Sequence, residues 1–318
     1  MALLEVEHLK VSLRSPEGWV HPVDDVSFTV SRGEILSVVG ESGCGKSTTA
    51  LAVMGLLAED VRIAGQIRLD GTDMLQLDEA QMCALRGNRI SMIFQEPMTA
   101  LNPVKTIGFQ IMEPLLVHTA ITMVEAREKA IDLLARVGID QPSRRIDAYP
   151  HQLSGGQRQR VVIAIALACE PDLIVADEPT TALDTTVQRQ ILELLLRLVD
   201  ETSVALMLIT HNLAVVSEVA DRVMVMYGGR VAETGPTSDV LEQPIHPYTK
   251  GLIAALPRTG LSADERLIPI PGVVPRLANM PLGCALADRC PDVIDACRAA
   301  RPVERMIRPA HKAACIRA

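Results

Sequence analysis

Apolar and polar positions alternate over short stretches at the start of the chain. Val26-Ser27-Phe28-Thr29-Val30 alternates, and Glu34-Ile35-Leu36-Ser37-Val38-Val39 runs straight into a Gly-rich turn, as strands do. The spacing then predicts a helix from about Lys46 to Leu57 and a hairpin-like piece near Ile63 to Asp70. A long middle region follows over roughly 100–160, in which Glu125–Val137 has helical apolar spacing. From Asp172 onward strand, helix and strand alternate: Leu173–Asp177, Thr185–Asp200 and Val204–Thr210. That alternation predicts an α/β domain with a mainly parallel sheet. Beyond about Gly235 prolines from Pro236 to Pro281 punctuate only short periodic pieces, so an appended C-terminal segment is expected there.

Composition narrows the class. Of 318 residues 48% are hydrophobic and 22% charged, enough apolar material for a core and too much for a disordered chain. Length suggests two domains or one large one. A net charge of −8 with only three Tyr, three Phe and one Trp leaves neither a basic stripe nor stacking platforms, so no nucleic-acid partner is expected. The longest fully apolar run, Val161–Cys169, lies between Arg160 and Glu170. It is far short of the ~20 residues that cross a bilayer. Glu5 and Glu7 stand where an export signal places positive charge, which reads as a cytoplasmic protein.

Two segments carry phosphate chemistry. Gly40-Glu41-Ser42-Gly43-Cys44-Gly45-Lys46-Ser47-Thr48 matches G-x-x-x-x-G-K-[ST] between a strand and a helix, where its glycines let backbone N–H groups wrap phosphates. Lys46 is then placed to reach the β- and γ-phosphates and Ser47 to hold Mg²⁺. Cys44 reads as a tolerated small residue rather than a reactive thiol. The apolar strand Leu173-Ile174-Val175-Ala176 ends in Asp177 and Glu178, a pairing suited to Mg²⁺ and to a general base that polarises water.

Leu153-Ser154-Gly155-Gly156-Gln157, upstream of that strand, together with the phosphate loop closely resembles the ATP-binding subunits of ABC transporters. The family's other marks follow in order: Gln95 (Q-loop, a further Mg²⁺ contact), Ala182-Leu183-Asp184 (D-loop) and His211 (switch histidine). The resemblance implies a RecA-like P-loop domain with an N-terminal antiparallel β portion and an inserted helical subdomain. It also implies head-to-tail pairing in which Ser154, Gly155, Gly156 and Gln157 of one chain close over the phosphate loop of another. Asp184 would complete the nucleotide contacts, and His211 would sense the γ-phosphate beside Glu178. Two departures stand out: Asn212 replaces the usual Asp, and Val11-Ser12-Leu13-Arg14 replaces the usual adenine-stacking aromatic. Trp19 is either its substitute or an exposed loop tryptophan.

Met92-Ile93-Phe94-Gln95-Glu96-Pro97-Met98-Thr99-Ala100-Leu101-Asn102-Pro103, His246-Pro247-Tyr248-Thr249 and Ile270-Pro271-Gly272-Val273-Val274-Pro275 resemble the dipeptide/oligopeptide and nickel importer ATPases. That implies two membrane permeases, an external solute-binding protein and a second, different ATPase subunit, at the cytoplasmic face of the cell membrane. A soluble ABC-type ATPase without a membrane partner is the second reading, though neither fused nucleotide domains nor a long coiled coil is present. A metal-binding regulatory protein with a vestigial nucleotide site is the third.

Cys284, Cys290, Cys297 and Cys315 crowd the last 35 residues. Four soft ligands suit Zn²⁺ or an iron–sulfur cluster, with buried or free thiols as the plain alternative. The subfamily resemblance implies a [4Fe–4S] cluster at these four positions. The expected division is an ATPase domain over 1–235, its helical subdomain at about 100–160, and a C-terminal extension over 236–318.

Overall fold

A computed structural model describes residues 2–96, 100–181, 183–256 and 270–318. Contacts divide the chain into two compact units. One holds Val30–Glu34 and Thr72–Ile209 with the first residues of the chain; the other holds Leu4–Thr29, Ile35–Gly71 and Thr210–Ala318.

In the first unit the strands Ile90–Ile93, Leu173–Asp177 and Ala205–Thr210 pair in parallel, with Met92 opposite Val175 and Val175 opposite Met207. Every residue of the second and third of these strands is buried, which is why they read as unbroken apolar runs rather than alternating ones. The helix Thr185–Thr202 turns Ile191, Leu194, Leu195 and Leu198 inward. The expected helical region is present as Ile107–His118, Met123–Arg136, Pro142–Arg145 and Gly155–Leu167. Thr122 and Glu125 form a reciprocal cap at the start of Met123–Arg136, satisfying two orphan helix donors.

The second unit opens with an antiparallel arrangement. Arg62–Leu69 is a strand that pairs along one edge with Ala2–Ser15, with Leu4 opposite Leu69 and Val11 opposite Ile63 and a bulge between Glu7 and Lys10. The helix after the phosphate loop, Lys46–Met54, stops short of Leu57 because Gly55 takes the left-handed conformation that closes a helix.

Ile35–Val39 lies parallel to Arg222–Tyr227, and Arg230–Pro236 returns antiparallel to it. Gly228 and Gly229 both have positive φ, as a two-residue hairpin turn requires. The Pro-rich tail then re-enters this sheet: His311–Ala313 pairs with Arg230–Pro236, and Arg305–Arg308 pairs with His311–Ala313. Thus the tail strands Arg305–Arg308 and His311–Ala313 are woven into the second unit.

A buried polar knot holds the tail there. Glu233 accepts hydrogen bonds from the Ile245 and His246 backbone N–H groups at 2.8 and 2.9 Å. Its Oε1 also lies 2.7 Å from His311 Nε2, with both side chains fully buried. His246 Nδ1 accepts from the Tyr248 N–H at 3.1 Å, and burial lowers the His246 pKa to about 4. An unfolded chain takes up this proton near the ordinary histidine value, whereas the folded one resists until about 4. Stability is therefore complete above the unfolded value and falls as pH drops from about 6.5 towards 4. Melting curves across that window are expected to show the fall in wild type and a flatter profile in His246→Gln.

Candidate functional site

In the second unit, Ile35–Val39 delivers the chain into the loop 40–45 and Lys46–Met54 leaves it. Two glycines are required by contact as well as by conformation. A Cβ on Gly40 would lie 2.3 Å from the Met226 carbonyl oxygen, and one on Gly45 would lie 2.2 Å from that of Pro22; both residues have positive φ. No side chain caps the helix, and its first internal hydrogen bond is from Thr49 N–H to the Gly45 carbonyl. The first turn of a helix presents N–H groups and the positive end of the helix dipole, chemistry suited to an anion. Lys46 is buried and its ammonium donates to the Gly40 and Glu41 carbonyls at 2.8 and 3.1 Å. Ser42, Gly43 and Ser47 are exposed, and Thr48 is half-buried. Cys44 is fully buried and burial raises its pKa, the behaviour of a packing thiol rather than a nucleophile.

Two tail segments grip this loop, and neither role was legible in the sequence. The Glu41 backbone N–H donates to Tyr248 Oη at 2.8 Å. The Glu41 carboxylate takes both ends of the Arg289 guanidinium at 2.7 and 3.0 Å. Arg289 is buried, and it also donates to the Pro271 carbonyl and to Tyr227 Oη at 2.8 and 3.2 Å. Charge-assisted contact with Glu41 raises the Arg289 pKa further. Bidentate pairing of this kind fixes orientation as well as position. The motifs at 246–249 and 270–275 therefore converge on the residue beside Gly40. Arg289 carried no signal of its own.

His211 also lies in this unit, and Asn212 after it caps Leu213–Val219 by accepting from the Ala214 N–H at 3.0 Å. The cap needs only a side-chain oxygen, so Asn serves where Asp is usual. Trp19 sits in the strand Gly18–Ser31 rather than a loop, half-exposed, with the Arg62 guanidinium 4.0 Å over its ring.

In the first unit, Asp177 is buried at the end of its strand and Glu178 follows with φ of 46°, a strained conformation of the kind found at functional sites. The Glu178 N–H donates to the Ile209 carbonyl at 2.9 Å. Its Oε2 accepts from Thr181 Oγ1 at 2.9 Å and from Gln95 Nε2 at 3.2 Å. Two motifs 83 residues apart thus meet side chain to side chain. Ser154 caps Gly155–Leu167 in a reciprocal box with Gln157. Ser154 and Gly155 are exposed, and a Cβ on Gly156 would lie 2.7 Å from Val187 Cγ1. Asp184 caps Thr185–Thr202 by accepting from the Val187 N–H at 3.0 Å. Ala182 of the D-loop and Pro97, Met98 and Thr99 of the 92–103 segment lie outside the described residues.

The tail cysteines qualify the metal expectation. Cys284, Cys290, Cys297 and Cys315 line one pocket of about 20 Å³, room for roughly one water molecule. No disulfide joins them, and burial raises the pKa values of Cys284 and Cys290. The donor set suits a soft metal. Among the described residues no group of three or more His, Cys, Asp or Glu side chains is placed to hold a metal ion.

Comparison with known proteins agrees with the motifs. The ABC transporter family profile matches residues 23–181, and that of the oligopeptide/dipeptide transporter C-terminal region matches residues 232–297. The chain is 48% identical over 316 residues to the dipeptide transport ATP-binding protein DppD of Escherichia coli (strain K12), covering 99% of this chain and 96% of that one. It is 49% identical over 316 residues to the oligopeptide transport ATP-binding protein OppD of Mycobacterium bovis, covering 99% of this chain and 52% of that one. Among solved structures it resembles the ATP-binding cassette MJ0796, a dimer in a post-hydrolysis state bound to ADP and phosphate. The TM-score is 0.66 and the identity 28%, over 74% of this chain and 98% of that one.

Proposed function

We propose that this chain, which belongs to the ABC transporter family of ATP-binding subunits, is the ATP-hydrolysing motor of a peptide importer. The observation that carries the reading is the pairing of a complete phosphate loop at 40–48 with a C-terminal region of the oligopeptide/dipeptide type. In this reading the loop amides of Gly40, Ser42, Gly43, Cys44 and Gly45 wrap the phosphates. Lys46 leaves the Gly40 and Glu41 carbonyls for the phosphate oxygens, and Thr48 lines the site beside it. Ser47, Asp177 and Gln95 supply a hydroxyl, a carboxylate and an amide oxygen, hard donors of the kind Mg²⁺ takes. When bound, Mg²⁺ neutralises charge on the β- and γ-phosphate oxygens. Glu178 takes the proton of the attacking water, Gln95 and Thr181 hold its carboxylate in place, and His211 orients the γ-phosphate.

Ser154, Gly155, Gly156, Gln157 and Asp184 are assigned to the second nucleotide-domain copy's site, in keeping with the exposure of Ser154 and Gly155. That partner is a second ATPase subunit, and two permeases carry the motion into the membrane at its cytoplasmic face. Among the described residues no helix of this chain is long and apolar enough to cross a membrane. Proteoliposomes holding this chain, its permeases and its solute-binding protein test the reading. ATP turnover stimulated by dipeptides or oligopeptides, and lost in Lys46→Ala, is expected. Turnover that ignores peptides but responds to Ni²⁺ would move the chain to the nickel branch, and turnover indifferent to any permease would favour a soluble ATPase.

The [4Fe–4S] reading of the tail belongs to the same proposal and rests on the donor set alone, four thiols around one pocket. Anaerobic purification is expected to yield roughly four irons and four sulfides per chain, lost in Cys290→Ser. Zinc alone, or no metal, would remove the cluster and leave the ATPase assignment standing.

A further inference from the structure

The largest cavity among those described, about 700 Å³, lies wholly within the second unit between the N-terminal strands and the tail. None of residues 40–48 lines it, so it is separate from the phosphate loop. Its volume is that of a small-molecule site. Its lining is divided by charge.

At one place Asp24 gathers a surplus of cations. Its Oδ2 accepts from Arg230 at 2.6 Å and from Arg301 at 2.8 Å, and Lys10 lies 3.4 Å from Oδ1. Three positive groups face one carboxylate; burial pushes the Asp24 pKa up, and Arg230 and Lys10 outweigh it and hold the pKa below its ordinary value. Arg230 uses Nε and Nη2 on Asp24, and Arg301 uses Nη1 there and Nε on the Leu282 carbonyl. Each guanidinium thus keeps one amino group without a partner among the described residues. A second carboxylate is what such a surplus accepts.

The other polar feature is acidic. Glu304 also lines the cavity, and its Oε1 is buried without a hydrogen-bond partner, while Oε2 lies 3.8 Å from Lys312. Burial raises its pKa, and the nearby Asp25 adds to the effect. A buried acceptor left unmade is costly, and the charge of the carboxylate that carries it suits an ammonium group. The rim is strained as well. His8 and Asp25 both have positive φ and bind each other at 2.7 Å, and strain of this sort gathers at ligand sites. Leu277, Met280 and Leu286 give the cavity its apolar wall.

We propose that this cavity binds a short peptide as a zwitterion, its carboxylate on Arg230 and Arg301 and its ammonium on Glu304. The volume left beside the apolar wall takes the side chains, which favours a short peptide over a single amino acid. The chemistry comes from the cavity alone; only the expectation that peptides reach this face of the membrane rests on the importer reading.

Calorimetric titration of the nucleotide-free full chain with alanyl-alanine is the test, with alanine, N-acetyl-alanyl-alanine and alanyl-alanine amide as comparison ligands. Saturable one-to-one binding is expected for alanyl-alanine, at least tenfold weaker for each of the other three. Arg301→Ala and Glu304→Gln are expected to weaken it at least tenfold without changing ATP binding. Should Glu304→Gln fail to fold, Val303→Trp, at an exposed lining position, blocks the cavity instead. No saturable heat, equal binding of the capped peptides, or unchanged binding in Arg301→Ala would overturn the proposal. Free alanine binding as tightly as the dipeptide would overturn the peptide class. ATP binding in the same samples separates the two readings: ATP bound without peptide sinks this inference alone, and loss of ATP binding sinks the motor assignment.

Discussion

Glu178→Gln is expected to lower ATP turnover by about 10²–10⁴-fold, the usual contribution of a general base, while ATP still binds. The substitution keeps the size and planarity of the side chain and its oxygen, so the contacts from Thr181 Oγ1 at 2.9 Å and Gln95 Nε2 at 3.2 Å can persist. What disappears is the capacity to take a proton from water. The backbone is unaffected in principle, because the strained φ at Glu178 and its N–H bond to the Ile209 carbonyl do not depend on the side chain's charge. Single-turnover hydrolysis and equilibrium ATP binding, measured on one preparation, check this. Turnover within tenfold of wild type would remove Glu178 from the base role and leave Gln95 and Thr181 without the partner they position.

Arg289→Ala is expected to weaken ATP binding by about 2 kcal/mol, roughly thirtyfold, with a smaller effect on kcat. Arg289 touches no phosphate-loop glycine and is a positioning residue. It acts through Glu41, whose backbone N–H is held by Tyr248 and whose carbonyl accepts from Lys46. Loss of both guanidinium bonds frees a loop whose value lies in preorganisation. Arg289→Lys is expected to recover little, because an ammonium cannot reproduce the two parallel bonds. A double-mutant cycle with Glu41→Ala isolates the pair from general destabilisation. A coupling near zero, with melting temperature falling in step with affinity, would show that Arg289 only holds the fold.

The chemistry-bearing segments were readable because each is short and contiguous. A strand, a Gly-rich turn and a helix start lie within about a dozen residues at 35–48, and backbone geometry there is set by neighbours in sequence. Gly40 and Gly45 illustrate the limit of that legibility. Their positive φ follows from the loop, but the carbonyls of Met226 and Pro22 that exclude a Cβ come from distant segments. The strand at Arg62–Leu69 shows the same limit: its apolar pattern identified a strand, and only packing chose Ala2–Ser15 as its partner. Likewise the motifs at 246–249 and 270–275 were legible as resemblance, and their physical purpose emerged only when Tyr248 and Pro271 met Glu41 and Arg289.

By itself, the sequence determined the α/β class, the phosphate loop, the carboxylate pair after the strand Leu173–Asp177 and the family, because each depends on local spacing and on residue chemistry. Tertiary structure alone decided that Gln95 meets Glu178, that Arg289 grips Glu41 across 248 residues, and that Asp24, Arg301 and Glu304 line one cavity. Those contacts join side chains whose separation along the chain carries no information about distance in space. They form because burying apolar surface on strands and helices brings remote segments together, and buried charges must then find partners wherever the packing puts them.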